Sequence, residues 1–332
     1  MNVLIVGGTR FVGYQLTWRL IAAGHRPTLL NRGTTPDPFG DRVDRLVADR
    51  TTAEFDRVLA RREFDAAVDF ASYTGDDAAG AVAALAGRVG HYIAISTGAV
   101  YLVREGCTRP AREEDYDGPT IPRPDDPADL GEWTYGIEKR RAEDVLVAAG
   151  RDRDFPATRL RLPMVSGERD YYRRVESYLV RILDGGPVIL PDGGSHPTRH
   201  VYAGAVVRAI AGLLGDSRTF GRAYNLAQAE TPTLAELVAT MADRLGAPDR
   251  AVAVPADDLR AAGLDPAAIS PFSGRWMSFL DPGRAQAELG FRHESPAAYL
   301  DRIIAWYLNA PPAAPPPGYA TRDAEVRLAA GR

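Results

Sequence analysis

Tyr135 and Lys139 stand four residues apart in the run Tyr135-Gly136-Ile137-Glu138-Lys139. On a helix, residues at that spacing share one face. An ammonium beside a phenol favours the phenolate and lowers its pKa. A phenol tuned in this way can exchange a proton with a substrate alcohol near neutral pH. Composition sharpens the pairing: of the 40 basic residues all but one are arginine, and Lys139 is that one. A planar guanidinium does not replace a compact ammonium. The plainer reading is an exposed i,i+4 pair on a solvated helix. A hydroxyl at Thr97, which closes an apolar strand-like run earlier in the chain, could reach the same substrate oxygen as Tyr135.

Those groups need a scaffold, and the N-terminal half has the pattern of one. Val3-Leu4-Ile5-Val6 is a short apolar run of the kind that forms a buried parallel strand. Gly7-Gly8-Thr9-Arg10-Phe11-Val12-Gly13 follows it, and then Leu16, Leu20 and Ile21 recur at helical spacing up to Gly24. Strand, glycine turn and helix are the context of a dinucleotide-binding turn, in which Gly7 permits the tight bend and Gly13 the close packing of helix on strand. Backbone N–H groups at the helix start can hold a pyrophosphate. Pro27 to Leu30 reads as the second strand and ends in Asn31-Arg32-Gly33. A carboxylate at this place suits the ribose of NAD, and an arginine suits a 2′-phosphate. Asn31 with Arg32, and Arg10 facing the same pocket, favour NADP(H), with NAD(H) the alternative. Arg45 to Asp49 reads as a third strand, with Asp49 placed to accept from an adenine amino group and Arg50 beside it. Ala66 to Ala71 and His91 to Thr97 read as the fourth and fifth strands. Alternating strands and helices predict an α/β, Rossmann-type doubly wound parallel sheet. Gly7, Asn31, Asp49, Ala71 and Thr97 would lie along its carboxyl edge, where ligands of such sheets sit. The helix that carries Tyr135 is expected to run from near Tyr135 to Ala149 and stop at Gly150, after a surface loop over Thr108 to Glu132.

A length of 332 residues predicts two lobes. The expected division is a nucleotide-binding domain over 1–162 completed by parts of 198–228, a substrate-binding lobe mainly over 163–310, and a loose proline-rich tail over 311–332. With 45% hydrophobic and 25% charged residues the chain reads as an ordinary soluble protein. A net charge of -4 and a pI near 5.8 argue against a nucleic-acid footprint. The single cysteine, Cys107, allows no intrachain disulfide and no cysteine-based metal cluster, which fits a reducing cytoplasm. No targeting segment or membrane span is expected. The five histidines show no metal-ligand spacing, so no metal is expected.

Taken together, the turn Gly7 to Gly13, Asp49, the run Ser96-Thr97-Gly98-Ala99-Val100-Tyr101 and the Tyr135/Lys139 pair resemble the extended short-chain dehydrogenase/reductases. These are NAD(P)-dependent sugar epimerases, dehydratases and reductases. Thr158 to Gly167, Ala223 to Leu226, Thr233 to Leu245, Asp281 to Ala285 and Trp306-Tyr307 resemble later parts of the same family, so the likeness covers about residues 2 to 308. The resemblance implies that Tyr135 is the acid/base, that Lys139 lowers its pKa and binds the nicotinamide ribose, and that Thr97 orients the substrate oxygen. It also implies a sugar-like small-molecule substrate and a possible homodimer.

Several positions depart from the family pattern. Gly98 and Ala99 stand where its sugar dehydratases carry an Asp-Glu pair, so a 4,6-dehydration is disfavoured, and so is decarboxylation. Arg10 replaces the central glycine of the turn, as in a subgroup that includes plant chloroplast RNA-binding relatives. Met164 replaces an Asn near the substrate diphosphate, and Thr198 replaces an Arg, with Arg199 one residue later. Arg275 could serve as a substitute phosphate ligand, because a guanidinium matches phosphate in charge and shape. Tyr171, Tyr172, Arg173 and Arg174 read as one face of an amphipathic helix, or as the rim of the pocket. The expected activity is oxidation and reduction of a sugar or nucleotide-sugar carbon, as an epimerase or a ketoreductase. A binding protein without turnover, or a reductase of a non-nucleotide natural-product intermediate, are the alternatives.

Overall fold

The structure, a computed structural model, describes residues 1–331. Along the chain run β1 (Asn2–Val6), α1 (Phe11–Ala22), β2 (Arg26–Asn31), β3 (Asp44–Val47), α2 (Ala53–Leu59), β4 (Ala66–Asp69), α3 (Gly75–Leu85) and β5 (Tyr92–Thr97). The one-turn α4 (Ala99–Leu102), the long α5 (Pro127–Arg153), β6 (Ala157–Leu162), β7 (Met164–Ser166), α6 (Arg174–Leu183), β8 (Val188–Pro191) and β9 (His200–Tyr202) follow. The remainder is α7 (Ala203–Leu213), β10 (Ala223–Asn225), α8 (Leu234–Arg244), β11 (Ala251–Val254), α9 (Ala256–Ala261), α10 (Pro266–Ile269), α11 (Gly283–Leu289), α12 (Pro296–Asn309) and α13 (Arg322–Ala330).

Seven strands form one parallel sheet in the order β3-β2-β1-β4-β5-β6-β10. Strand order reverses between β1 and β4, the point at whose carboxyl edge such sheets bind ligands. Val3, Leu4 and Ile5 of β1 and Ala66 to Val68 of β4 are fully buried, as expected where helices cover both faces of a parallel sheet. Helix α1 packs with α7, and α3 with α5. Leu4, Val6 and Leu30 from the strands meet Phe55, Leu59, Val82, Leu85 and Leu146 from α2, α3 and α5 in one apolar cluster. The Rossmann-type sheet expected from the alternating pattern is therefore present.

Helix α5 is longer than the expected Tyr135 to Ala149. It spans 27 residues, opened by the Asp126 side chain, which accepts from the Ala128 N–H, and by Pro127 in the first turn. The stretch that composition marked as surface loop thus holds a helix start. Gly150 does not stop the helix, which runs on to Asp154 in a left-handed conformation, with Arg151 and Arg153 favourably placed near the terminal carbonyls.

The chain divides into two compact units. The first contains Met1–Met164, Ala203–Ala227 and Ser278–Arg292; the second contains Val165–Tyr202, Gln228–Met277 and the residues from His293 on. The stretch 278–292, expected in the substrate lobe, joins the first unit because Ala111 exchanges backbone hydrogen bonds with Phe279 and Asp281 (2.7 and 2.8 Å). Within the second unit, β8 pairs with β11, and α8 packs with α6 and α12. The expected loose tail is corrected as well. Residues 322–330 form α13, whose Glu325 receives two hydrogen bonds from Arg181 of α6 (2.7 and 2.8 Å), both side chains being fully buried. Ala324 and Leu328 pack on Ile189, Val254 and Leu259. Among the described residues no helix is long and apolar enough to cross a membrane.

Candidate active site

Helix α5 places Tyr135 and Lys139 on one face, as their spacing predicts. Their surroundings differ sharply. Tyr135 is 37% exposed, whereas Lys139 is 4% exposed. The Lys139 ammonium donates to the Ser72 carbonyl just past β4 (2.7 Å) and to the Ile95 carbonyl of β5 (2.8 Å). The exposed-pair reading therefore fails for Lys139. Burial lowers its pKa to about 8, against the opposing pull of Asp69 and Glu143. The ring of Tyr73 lies 5.3 Å from the ammonium, within cation–π range. Thr97 ends β5, and its Oγ1 accepts from the Ala99 N–H (3.2 Å) at the start of α4.

The glycine turn is built for a close approach. Gly7 has φ +91°, a conformation that favours glycine. A Cβ on Gly13 would stand 2.7 Å from the Gly7 carbonyl oxygen, so α1 packs onto the strand end as expected. The Thr17 hydroxyl, which lies within hydrogen-bond reach of the Gly8 and Gly13 carbonyls (3.0 and 2.8 Å), braces the same turn. Phe11 and Val12 open α1 and are buried, while Thr9 is half-buried in the turn. Arg10 makes no capping hydrogen bond, and the first turn of α1 holds no acidic residue. The leading N–H groups of α1 are thus left for an anion, which favours a pyrophosphate.

Asn31 closes β2, and its Oδ1 accepts from the Gly33 N–H (2.8 Å), shaping the turn that presents the exposed Arg32. The Arg10 guanidinium reaches Thr35 Oγ1 (3.1 Å), so it lies over the same loop. Asp49 follows β3, and its Oδ1 accepts from both the N–H and the hydroxyl of Thr51 (2.9 and 2.7 Å). Arg50 turns inward. It donates to Asp69 (3.0 and 3.1 Å) and to the Asp77 carbonyl (2.8 Å), tying β4 to α3. Asp69, fully buried at the end of β4, also accepts from the Tyr92 hydroxyl (2.6 Å) and the Ala71 N–H (2.8 Å). Next to it the Ser72 hydroxyl is buried without a hydrogen-bond partner. An orphaned hydroxyl, a glycine cradle and uncapped helix amides fit a dinucleotide along this edge.

A sequence model described as the NAD dependent epimerase/dehydratase family matches residues 3–227. The chain belongs to this family. Among curated proteins it is 28% identical, over 85% of its length and 77% of the relative's, to 2′-dehydrokanamycin reductase of Streptomyces kanamyceticus. It is 24% identical, over 75% of its length, to a chloroplast stem-loop binding protein of 41 kDa of Arabidopsis thaliana, of which it spans 64%. Among solved structures, an epimerase of Methanothermobacter thermautotrophicus superposes with a TM-score of 0.74 at 16% identity, covering 93% of this chain and 92% of that one. A UDP-glucose 4-epimerase of Thermotoga maritima gives 0.72 at 18% identity, covering 93% and 99%. These structures share the fold.

Gly98 follows Thr97, and a Cβ there would collide with the Ser278 side chain, so no carboxylate can stand at that position in this family member. Ala99 is buried beside it. Met164 is half-buried at the start of β7. In the second unit, the Arg199 guanidinium donates to the Ala229 carbonyl (2.8 Å) and to Thr231 Oγ1 (2.8 and 3.2 Å), and Arg275 is exposed. Tyr171 and Tyr172 lie on a turn ahead of α6, with ring centroids 4.2 Å apart, and Arg173 holds a left-handed conformation; the expected helix face begins only at Arg174. A cleft of ≈ 490 Å³ in the first unit is lined by residues including Glu113, Asp144, Arg159 and Arg284, and by none of the expected catalytic residues. Sequence reasoning passed over Asp69, Ser72 and Tyr73. The available signal was Asp69, a lone carboxylate closing an otherwise apolar strand.

Proposed function

We propose that the protein is an NAD(P)(H)-dependent oxidoreductase that interconverts a secondary alcohol and a ketone on a sugar-like substrate, with Tyr135 as the acid/base. The observation that carries this reading is Lys139, a buried ammonium fixed on two strand-end carbonyls one helical turn from an exposed phenol. An ammonium held there would favour a Tyr135 phenolate over the neutral phenol.

The amides after Gly7 and at the start of α1 would hold the pyrophosphate. Asn31, Arg32 and Arg10 would surround the adenosine ribose, which favours a 2′-phosphate and hence NADP(H). Asp49 would receive the adenine amino group, and Ala71 would line the strand edge. Lys139 would hold the nicotinamide ribose. When bound, the dinucleotide supplies hydride transfer. In the reducing direction Thr97 orients the substrate oxygen, and Tyr135 Oη delivers the proton to it. In the oxidising direction Tyr135 removes that proton. The absence of room for a carboxylate at Gly98 disfavours dehydration.

Reduction of a ketone on a substrate without a nucleotide is the reading we favour over epimerisation. Its support is the likeness to a reductase named for 2′-dehydrokanamycin, and the internal partners already held by Arg199. A binding protein without turnover is the second reading, favoured by Arg10 in the glycine turn and by the stem-loop binding relative.

The test is NADPH-dependent reduction of 2′-dehydrokanamycin by the wild type and Tyr135→Phe. The expected result is a loss of about 10² or more in turnover, the scale of general acid–base catalysis, with NADPH affinity nearly unchanged. Turnover like wild type in Tyr135→Phe would sink the assignment. Denaturing fresh protein to release nucleotide separates the other readings. Tightly held NAD would point to an epimerase. Salt-dependent RNA binding without turnover would point to the binding protein.

A further inference from the structure

Two turns beyond Tyr135 and one beyond Lys139, α5 carries Glu143. Successive steps of four residues rotate only slightly around a helix, so the three side chains form one stripe. Glu143 is 1% exposed and Arg161, its partner on β6, is 2% exposed. Arg161 grips the carboxylate through Nη2 to Oε2 (2.7 Å) and Nε to both oxygens (3.0 and 3.1 Å). Ser96 Oγ donates to Glu143 Oε1 (2.5 Å). Ser96 and Arg161 are direct cross-strand partners on β5 and β6. The third branch runs from Arg161 Nη1 to Tyr101 Oη (2.5 Å), and from Tyr101 Oη to Asn225 Oδ1 on β10 (3.0 Å).

Three members of this network stand on the elements that carry the proposed site. Ser96 precedes Thr97, and Tyr101 lies on α4, the helix turn that begins beside Thr97. Glu143 shares its stripe with Lys139 and Tyr135. We infer that Glu143 and Arg161, with Ser96, form a positioning unit that holds Tyr135 and Lys139 on α5 in register with Thr97 on β5. The inference rests on the proposed function.

Stability alone is a poor reason for such a pair. Removing two charges from water costs several kcal/mol per ion, and well-packed apolar residues of similar volume often serve the fold as well or better. A charged pair with fixed hydrogen-bond directions does what an apolar contact cannot: it disfavours sliding or rotation of α5 along β5 and β6. A small rotation would move the phenol and ammonium apart from the hydroxyl, and such errors are costly in catalysis.

The experiment uses the full chain saturated with NADP⁺ and needs no substrate. The ultraviolet phenolate titration of Tyr135→Phe is subtracted from that of the wild type, which isolates Tyr135. The same difference is taken for Glu143→Leu/Arg161→Met, with and without Tyr135→Phe. This double change removes one charge of each sign, so the direct electrostatic effect on Tyr135 nearly cancels. The expected result is a folded protein in which the Tyr135 midpoint rises by about one pH unit or more towards the free phenol value near 10. An unchanged midpoint in the folded double variant overturns the inference. Where the double variant fails to fold, Ser96→Ala removes only the Ser96–Glu143 link between β5 and α5 and leaves the Lys139–Ile95 link in place, and the midpoint is expected to rise in it too; an unchanged midpoint there also overturns the inference. A wild-type midpoint already near the free value would instead defeat the tuned-phenol reading of the site, so the two failures are distinguishable.

Discussion

Replacing Lys139 with methionine separates a catalytic ammonium from a structural strut. The fall of its pKa from 10.5 to about 8 is caused chiefly by burial, and corresponds to about 3 kcal/mol opposing the charged form in the folded protein. Lys139→Met keeps the stem volume and removes that opposition. It also leaves the Ser72 and Ile95 carbonyls without their donor, at about 1–3 kcal/mol for each buried acceptor. These terms largely offset, so unfolding by urea at neutral pH is expected within about 3 kcal/mol of wild type. Turnover is expected to fall by about 10² to 10⁴, the range of a lost acid–base group. The pH dependence supplies a second sign. Between pH 8 and 10.5 the unfolded chain still holds the lysine proton that the folded chain has released. Raising the pH therefore favours the folded wild type, by up to about 3 kcal/mol across that window, and the variant lacks this rise. Turnover within about tenfold of wild type would refute the catalytic role. A large loss of stability with a matching loss of folded protein would show that Lys139 acts as a strut.

Arg32→Ala is expected to weaken NADPH binding more than NADH binding in paired titrations; equal effects would remove the preference for the 2′-phosphate. Glu325→Ala strands a buried Arg181, and is expected to cost about 3–5 kcal/mol in urea unfolding; a cost below about 1 kcal/mol would mean that α13 is dispensable. His91 is fully buried, with Nε2 2.8 Å from Thr158 Oγ1 and Nδ1 accepting from the Gly215 N–H, and burial lowers its pKa from 6.5 to about 4. Below pH 6.5 the unfolded chain gains a proton that folded His91 refuses, so stability should fall by up to about 3 kcal/mol on acidification through pH 4. His91→Gln should flatten that decline, and an unchanged slope would exclude His91 as its source.

The glycine turn was legible because its constraints are local. Gly7 must reach φ +91° and Gly13 must leave free the space where a Cβ would stand 2.7 Å from the Gly7 carbonyl oxygen, and few sequences satisfy both directly after an apolar strand. The start of α5 was hidden because Asp126-Pro127 has the composition of a loop and the geometry of a cap. The tail was misread for a related reason. Its proline run does precede a break, yet α13 is held by Arg181, a partner 144 residues away in sequence. No local pattern reports such a pair. Strand β6 is the clearest case. Within the six residues of β6, Arg159-Leu160-Arg161-Leu162 alternates polar and apolar, the pattern of a half-solvated strand. All six residues are buried, because Glu143 comes from α5 to meet Arg161.

The same long-range pairing explains why one lysine among many arginines is informative. Lys139 is enclosed by two buried ion pairs, Arg50 with Asp69 and Arg161 with Glu143. Burial would raise the Glu143 carboxyl, but Arg161 holds it below the ordinary range, so the carboxylate stays charged. With Asp77 beside Arg50 and Arg159 3.5 Å from Glu143, the enclosure and Lys139 together hold four cations and three carboxylates. Guanidinium groups stay protonated even when buried, whereas an ammonium shifts its pKa readily. Arginine at the supporting positions therefore keeps the surrounding field fixed across the working pH range. The basic group whose charge can change near neutrality is Lys139, and it stands one turn from the phenol it would tune. A second lysine in place of Arg50 or Arg161 would let the field itself titrate, and the Tyr135 phenol would no longer answer to one group.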